Sequence, residues 1–327
     1  MGRCLRTIEP QYFLEIENGE VPAPFPRQQH FWCGVVYWNK NLSAQRYIWF
    51  LKLPIDERGF VVDAARQHFL EKVVTALANV QAEEDVDLAK TEQNSDNPYI
   101  FVPNQQQLAD FNAQTRKAVG LPPSNDFETA LNYLKAPFVQ DWQNISLQGL
   151  ADVVAFAEDD VMSSILSSLT AKYPETVRQH LLASLENTTL ARQYATHLIN
   201  QFDWDTSQAK PLHHHLLRAL AQMPDEAQRE NLIKQVLESE KLLDTDTLIV
   251  IAGRHWSALA TTNMSLFLEK AAALDTDNQN FSFFCGLFAD IAQIPQTRDA
   301  ALSTLRNPDR SARLSDAIGA LFRQQST

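Results

Sequence analysis

Three consecutive histidines, His213-His214-His215, form the densest cluster of acid–base or metal-binding side chains in this sequence. On a helix, two imidazoles converge on one ion from positions i and i+4, whereas adjacent residues project about 100° apart. Residue 217 is leucine, so the cluster reads as a polar helix edge and no metal site is expected. Cys33 is a nucleophile only if a base takes its proton, and His30 is the nearest imidazole in the chain. An offset of three residues on a strand puts the two on opposite faces. Cys33 therefore reads as buried and inert. His68, His180, His197 and His255 stand isolated. Acidic clusters occur at Glu158-Asp159-Asp160, Asp203/Asp205, Asp244/Asp246 and Asp275/Asp277. Each falls before or between expected helices, where capping and the helix dipole favour acids. Asp275 and Asp277 lack the glycine of a calcium loop, since residue 280 is asparagine.

Phosphate chemistry needs closely spaced glycines. The nine glycines of this chain come no nearer to one another than 15 residues, at Gly19 and Gly34. Neither a dinucleotide fingerprint nor a phosphate-binding loop can be written on it. No nucleotide and no cofactor is expected. The net charge is −12, and the acidity is spread: 13 basic against 18 acidic residues before position 147, and 15 against 22 after it. That balance disfavours phosphate-backbone binding. Two surfaces still interleave suitable groups. Trp38, Arg46, Tyr47, Trp49 and Lys52, with Lys40, alternate basic and aromatic residues that could stack bases or grip a peptide. Near the end, Arg298, Arg306, Arg310, Arg313 and Arg323 face Asp299, Asp309 and Asp316, a weak local excess of positive charge.

The elements that would carry these residues change character near residue 146. Residues 1–62 hold 11 of the 31 aromatic residues. The runs Tyr12–Ile16, Phe31–Trp38, Tyr47–Leu51 and Gly59–Val62 suit strands of an antiparallel meander, with Phe31–Trp38 central and covered on both faces. Asp63 can cap a helix reaching about Val80, with Ala65, Phe69, Val73 and Leu77 as its stripe. The acidic stretch Gln81–Asn97 predicts a mobile linker. Helices are expected near Gln105–Val119 and Asp126–Leu134, and residues 98–146 carry no pattern that assigns them to either part. From 147 onward apolar stripes recur at helical spacing, with Pro174, Pro211, Pro224, Pro295 and Pro308 between them. Taking every second helix, starts fall near 147, 174, 209, 245, 278 and 310. Helix pairs at such a period mark an α-solenoid of the HEAT kind.

The segment Leu53-Pro54-Ile55-Asp56-Glu57-Arg58-Gly59, the aromatic hairpin before it and Pro98-Tyr99-Ile100 resemble a gammaproteobacterial family of unknown function and similar length, over the whole chain. The resemblance implies a bacterial, soluble protein and brings no activity and no site residues. Three widely spaced cysteines, Cys4, Cys33 and Cys285, point to a reducing compartment. The opening MGRCLRTIEP has no apolar signal core. The expectation is a mostly α, α+β cytoplasmic protein: residues 1–146 as an aromatic-rich mixed domain, 147–327 as a helical-repeat domain. The expected role is a protein–protein scaffold or adaptor rather than an enzyme, with another protein as partner rather than nucleic acid, nucleotide or membrane. The alternatives are a hydrolase-type site assembled at the domain junction and a nucleic-acid-binding protein.

Overall fold

The computed structural model describes residues 5–24, 29–38, 47–82, 97–139, 141–204 and 211–324, with backbone alone at 73, 75–82 and 324. The acidic stretch 83–96, and with it most of the expected linker, lies outside the described residues. The chain is mostly α-helical with one small antiparallel sheet, an α+β arrangement. It divides into two compact units, Arg6–Asn104 and Gln105–Thr327. The helices near 105 and 127 belong to the second unit, so the boundary falls at Asn104 and not at 146.

In the first unit, helix α1 (Pro10–Glu17) replaces the strand expected over Tyr12–Ile16. Pro10 sits in its first turn, where the fixed φ favours a helix and the missing N–H is no loss. The helical spacing brings Phe13 and Ile16 to one side, and Gly19, at φ +71°, ends the helix. Strands β1 (His30–Tyr37) and β2 (Tyr47–Pro54) pair antiparallel, from His30 opposite Pro54 to Tyr37 opposite Tyr47. The middle position belongs to β2 and not to Phe31–Trp38. On its other edge the Lys52 N–H donates to Tyr99 O and the Phe101 N–H to Phe50 O. The run Gly59–Val62 forms a tight turn with a single bridge, Ile55 to Val61, rather than a strand. There Asp56 Oδ1 accepts from the Arg58 and Phe60 N–H groups, and Gly59 takes φ +89°. Ile16, Ala23, Phe31, Leu53 and Val61 form the core. Helix α2 (Asp63–Ala82) lays Ala65 and Phe69 inward. Arg66 ties it to the end of α1 through Glu17 and Asn18.

The second unit has one large core and a small separate cluster of Ala109, Ala113, Ala151 and Ala155. Its helices are α3 (Gln105–Ala118), α4 (Phe127–Lys135), α5 (Leu147–Phe156), α6 (Asp159–Ser167), α7 (Leu169–Lys172), α8 (Glu175–Glu186), α9 (Arg192–Ile199), α10 (Pro211–Leu220), α11 (Glu226–Glu238), α12 (Thr245–Arg254), α13 (Trp256–Ala258), α14 (Met264–Leu274), α15 (Ser282–Gln293), α16 (Pro295–Leu305) and α17 (Ala312–Gln324). Every second helix packs on the next. One row runs α5, α8, α10, α12, then α14 and α15, then α17, with α3 laid on α5 and α8. A second row holds α4, α6 and α9, and farther along α11, α13 and α16. The row starts fall at 147, 175, 211, 245, 264, 282 and 312; the start at 264 has no counterpart in the spacing read from the stripes.

The row lies deep because its leucines recur every third or fourth position: Leu181 and Leu185, Leu216 and Leu220, and Leu248 and Ile251 are all buried. Side chains close the helix starts, with Ser146 accepting from Gly149 N, Asp225 from Gln228 N and Asp244 from Thr247 N. A π-turn at Leu259–Asn263 interrupts the pairing, and buried Asn263 spans it by donating to Glu230 O and Ala258 O. Among the described residues no helix is long and apolar enough to cross a membrane.

Candidate functional site

Polar side chains run across the buried row as a ladder. On α3, Gln106 and Asp110 are one helical turn apart; on α8, His180 and Ser184 share one side, with Asn187 just past its end. Asp110, only 3% exposed, accepts from Ser184 Oγ at 2.6 Å, Asn187 Nδ2 at 2.7 Å and Gln106 Nε2 at 3.0 Å. The other end of the Gln106 amide lies 2.9 Å from His180 Nδ1, so that nitrogen carries the proton. Burial is the largest influence on Asp110 and pushes its carboxyl up, against three hydrogen bonds that pull it down. Burial likewise lowers His180, which stays neutral near pH 7.

The next rung is ionic. The Glu186 side chain on α8, 2% exposed, takes Arg218 of α10 on one oxygen and Arg254 of α12 on the other. Arg218 approaches with Nε and Nη2 both at 2.9 Å. One carboxylate thus joins three helices of the row. His215 beside it is lowered by burial first, then by Arg218 and His214. Beneath lies His255, fully buried, donating from Nε2 to Leu217 O at 2.8 Å. Its Nδ1 has no hydrogen-bond partner. Burial pushes it down to about 4.

The three adjacent histidines diverge, as the helix geometry requires. His213 stacks on Phe202 with centroids 5.8 Å apart. His214 Nε2 meets Thr247 Oγ1 at 3.1 Å and Asp244 Oδ1 at 3.3 Å, while His215 belongs to the ionic rung. Among the described residues no group of three His, Cys, Asp or Glu side chains is placed to hold a metal ion. Cys33 packs against the first unit's core, and burial pushes its thiol up to about 12, which suppresses the thiolate.

Strand alternation separates the hairpin residues. Tyr47 and Trp49 stack on or edge against Tyr37, and Trp49 meets Phe69 of α2. Lys52 lies on the opposite face, across from Trp32. Trp38 lies just past β1 and is half-buried, and Arg46 and Lys40 are outside the described residues. Three of the C-terminal arginines are spent on carbonyls at or just past helix ends. Arg298 donates to Ala292 O, Arg310 to Leu305 O, and Arg313 to Ala272 O and Asp275 O. Arg306, the residue after α16, is exposed and donates its backbone N–H to Ser303 O.

Sequence reasoning passed over Gln106, Asp110, Ser184, Glu186, Asn187, Arg218 and Arg254. Their signal was polar residues at helical spacing inside leucine-rich runs, a pattern that ordinarily marks a solvated helix side.

Fold and ladder together define a two-unit, mostly helical protein whose second unit is a row of paired helices joined by buried polar rungs. The chain belongs to the family described as "Protein of unknown function (DUF3549)", which it matches over residues 1–322. No curated protein and no solved structure matches it.

Proposed function

We propose that this chain is an interaction protein, a scaffold or adaptor that works through the outer surface of its helical row. The observation that carries the reading is an apolar knob. Phe138 and Val139, adjacent in the turn after α4, are 84% and 79% exposed. Single exposed apolar residues are ordinary, but an aromatic and a β-branched neighbour both turned to water are not. The turn is held in place on both sides. Tyr133 and Leu134 precede it in the core, where Tyr173 Oη donates to Leu134 O at 2.7 Å, and Trp142 packs against the same core after it. A pre-formed knob loses little entropy on docking, which suits insertion into an apolar groove of a partner. The ladder supports the same reading from within. Ser184 Oγ donates to Asp110, and Glu186 is held by two guanidiniums, so these groups are engaged in joining helices. The test is parallel affinity purification of the tagged protein and of its Phe138→Ser/Val139→Ser variant from native cells. A partner retained by the first at near-equal amount and lost by the second supports the proposal; identical elution of both as lone species refutes it.

A further inference from the structure

Strand β1 leaves backbone groups open along one edge. On β2, the Lys52 N–H donates to Tyr99 O and Phe50 O accepts from the Phe101 N–H, so these two residues turn their backbone groups away from β1. Their partners across the hairpin are Trp32 and Gly34. In an antiparallel pair such residues direct their own N–H and C=O to the outer edge, and Val36 continues the alternation. Among the described residues, the outward backbone groups of Gly34 and Val36 take no hydrogen bond. Both residues are half-buried. A backbone group that is drawn out of water without a partner costs free energy.

The same edge lacks the devices that ordinarily keep strands apart. His30–Tyr37 contains no Asp, Glu, Lys, Arg or Pro, and its eight residues pair with β2 without a bulge. Charges, prolines and bulges are the usual protection of an edge. The far edge of this sheet differs: β2 carries Lys52 and Pro54, and Tyr99 and Phe101 cover it.

We propose that β1 pairs antiparallel with β1 of a second copy of this chain, making one four-stranded sheet across a two-fold axis at Val35. In that register Gly34 of each copy exchanges both backbone bonds with Val36 of the other, so every unpaired group at these positions gains a partner. Val35 meets its own copy as the close, non-bonded pair, with Cα atoms about 4.5 Å apart, an arrangement that suits β-branched side chains. An identical strand fits this edge for two reasons. The axis matches donors with acceptors without an offset, and an uncharged strand meets itself without like charges opposed. The covered far edge stops the pairing at two copies, a closed isologous dimer.

Sedimentation equilibrium of the full chain tests the proposal. The expected mass is twice 37.0 kDa at about 50 μM, with a Kd of order micromolar. Gly34→Pro and Val36→Lys should each give a monomer with an unchanged far-UV circular dichroism spectrum. The proline removes only an outward N–H, so the bonds between β1 and β2 survive it. If either variant fails to fold, hydrogen exchange of the unaltered protein decides: the Gly34 and Val36 amides should lose protection on dilution from about 50 to about 0.1 μM. A wild-type monomer at about 200 μM overturns the proposal. So does a dimer that persists in either folded variant, or exchange at Gly34 and Val36 that dilution leaves unchanged.

Discussion

Replacing Glu186 by glutamine removes one charge from the centre of the second unit and almost no volume. The carboxylate is 2% exposed and holds Arg218 and Arg254, whose side chains are 30% and 16% exposed. Glutamine keeps one acceptor oxygen but turns an NH₂ group toward the other guanidinium, donor against donor. Removing one partner of a buried ion pair costs about 3–5 kcal/mol. The guanidiniums retain some water and can relax toward it, which reduces the figure to about 2–4 kcal/mol. For a unit of this size that corresponds to a fall of about 5–15 °C in unfolding temperature. Urea unfolding followed by far-UV circular dichroism is the assay, because most of the helix lies in this unit. The midpoint should fall with the slope unchanged. A double-mutant cycle of Glu186→Gln with Arg218→Ala should show coupling, since the second change relieves the guanidinium that the first left unpaired. A Glu186→Gln protein within about 0.5 kcal/mol of wild type would refute the claim that this rung joins the helices.

Other consequences follow from single residues. His255 is buried neutral and lowered to about 4, against an ordinary value of 6.5. The unfolded chain takes that proton first, so the stability His255 contributes is full above pH 6.5 and is lost as pH falls toward 4. The loss amounts to about 3 kcal/mol, and it should disappear from the pH profile of His255→Gln in denaturant titrations run from pH 7 to pH 4. At Gly149 an added Cβ would lie 2.8 Å from Asp126 O and 2.9 Å from Ala130 Cβ. Gly149→Ala should therefore cost about 1–3 kcal/mol in the same assay despite alanine's better helix propensity, and a stabilised variant would contradict the close approach of α4 and α5. Cys33, with its thiol pushed up to about 12, should react with iodoacetamide at pH 8 far more slowly than the same cysteine in urea-unfolded protein, because little thiolate is present. A fast native reaction at Cys33, located by peptide mapping, would contradict the raised thiol.

The helical row was legible because its stripes are simple. Leu181/Leu185, Leu216/Leu220 and Phe284/Leu287/Ile291 repeat at helix spacing, and prolines separate them. The hairpin was legible too, since His30–Tyr37 and Tyr47–Pro54 are dense in β-branched and aromatic residues. Tyr12–Ile16 misled because its alternation of Tyr12, Leu14 and Ile16 fits a strand, while the deciding residue, Pro10, lies outside the run. Asp110 and Glu186 were hidden for a different reason. A charged residue within a helix looks solvated until its partners are known, and those on other helices stand 32 to 77 positions away. The arginines near the C-terminus looked available because their acceptors are backbone carbonyls at helix ends, which no side-chain pattern records.

The central claim is that the protein meets a partner through the turn after α4. The most direct measurement replaces Phe138 with a photo-crosslinking benzophenone analogue in living cells, with the exposed Glu240 as control position. A single discrete adduct from position 138, absent from position 240, is the predicted result. No adduct from 138, or the same adducts from both positions, would contradict it.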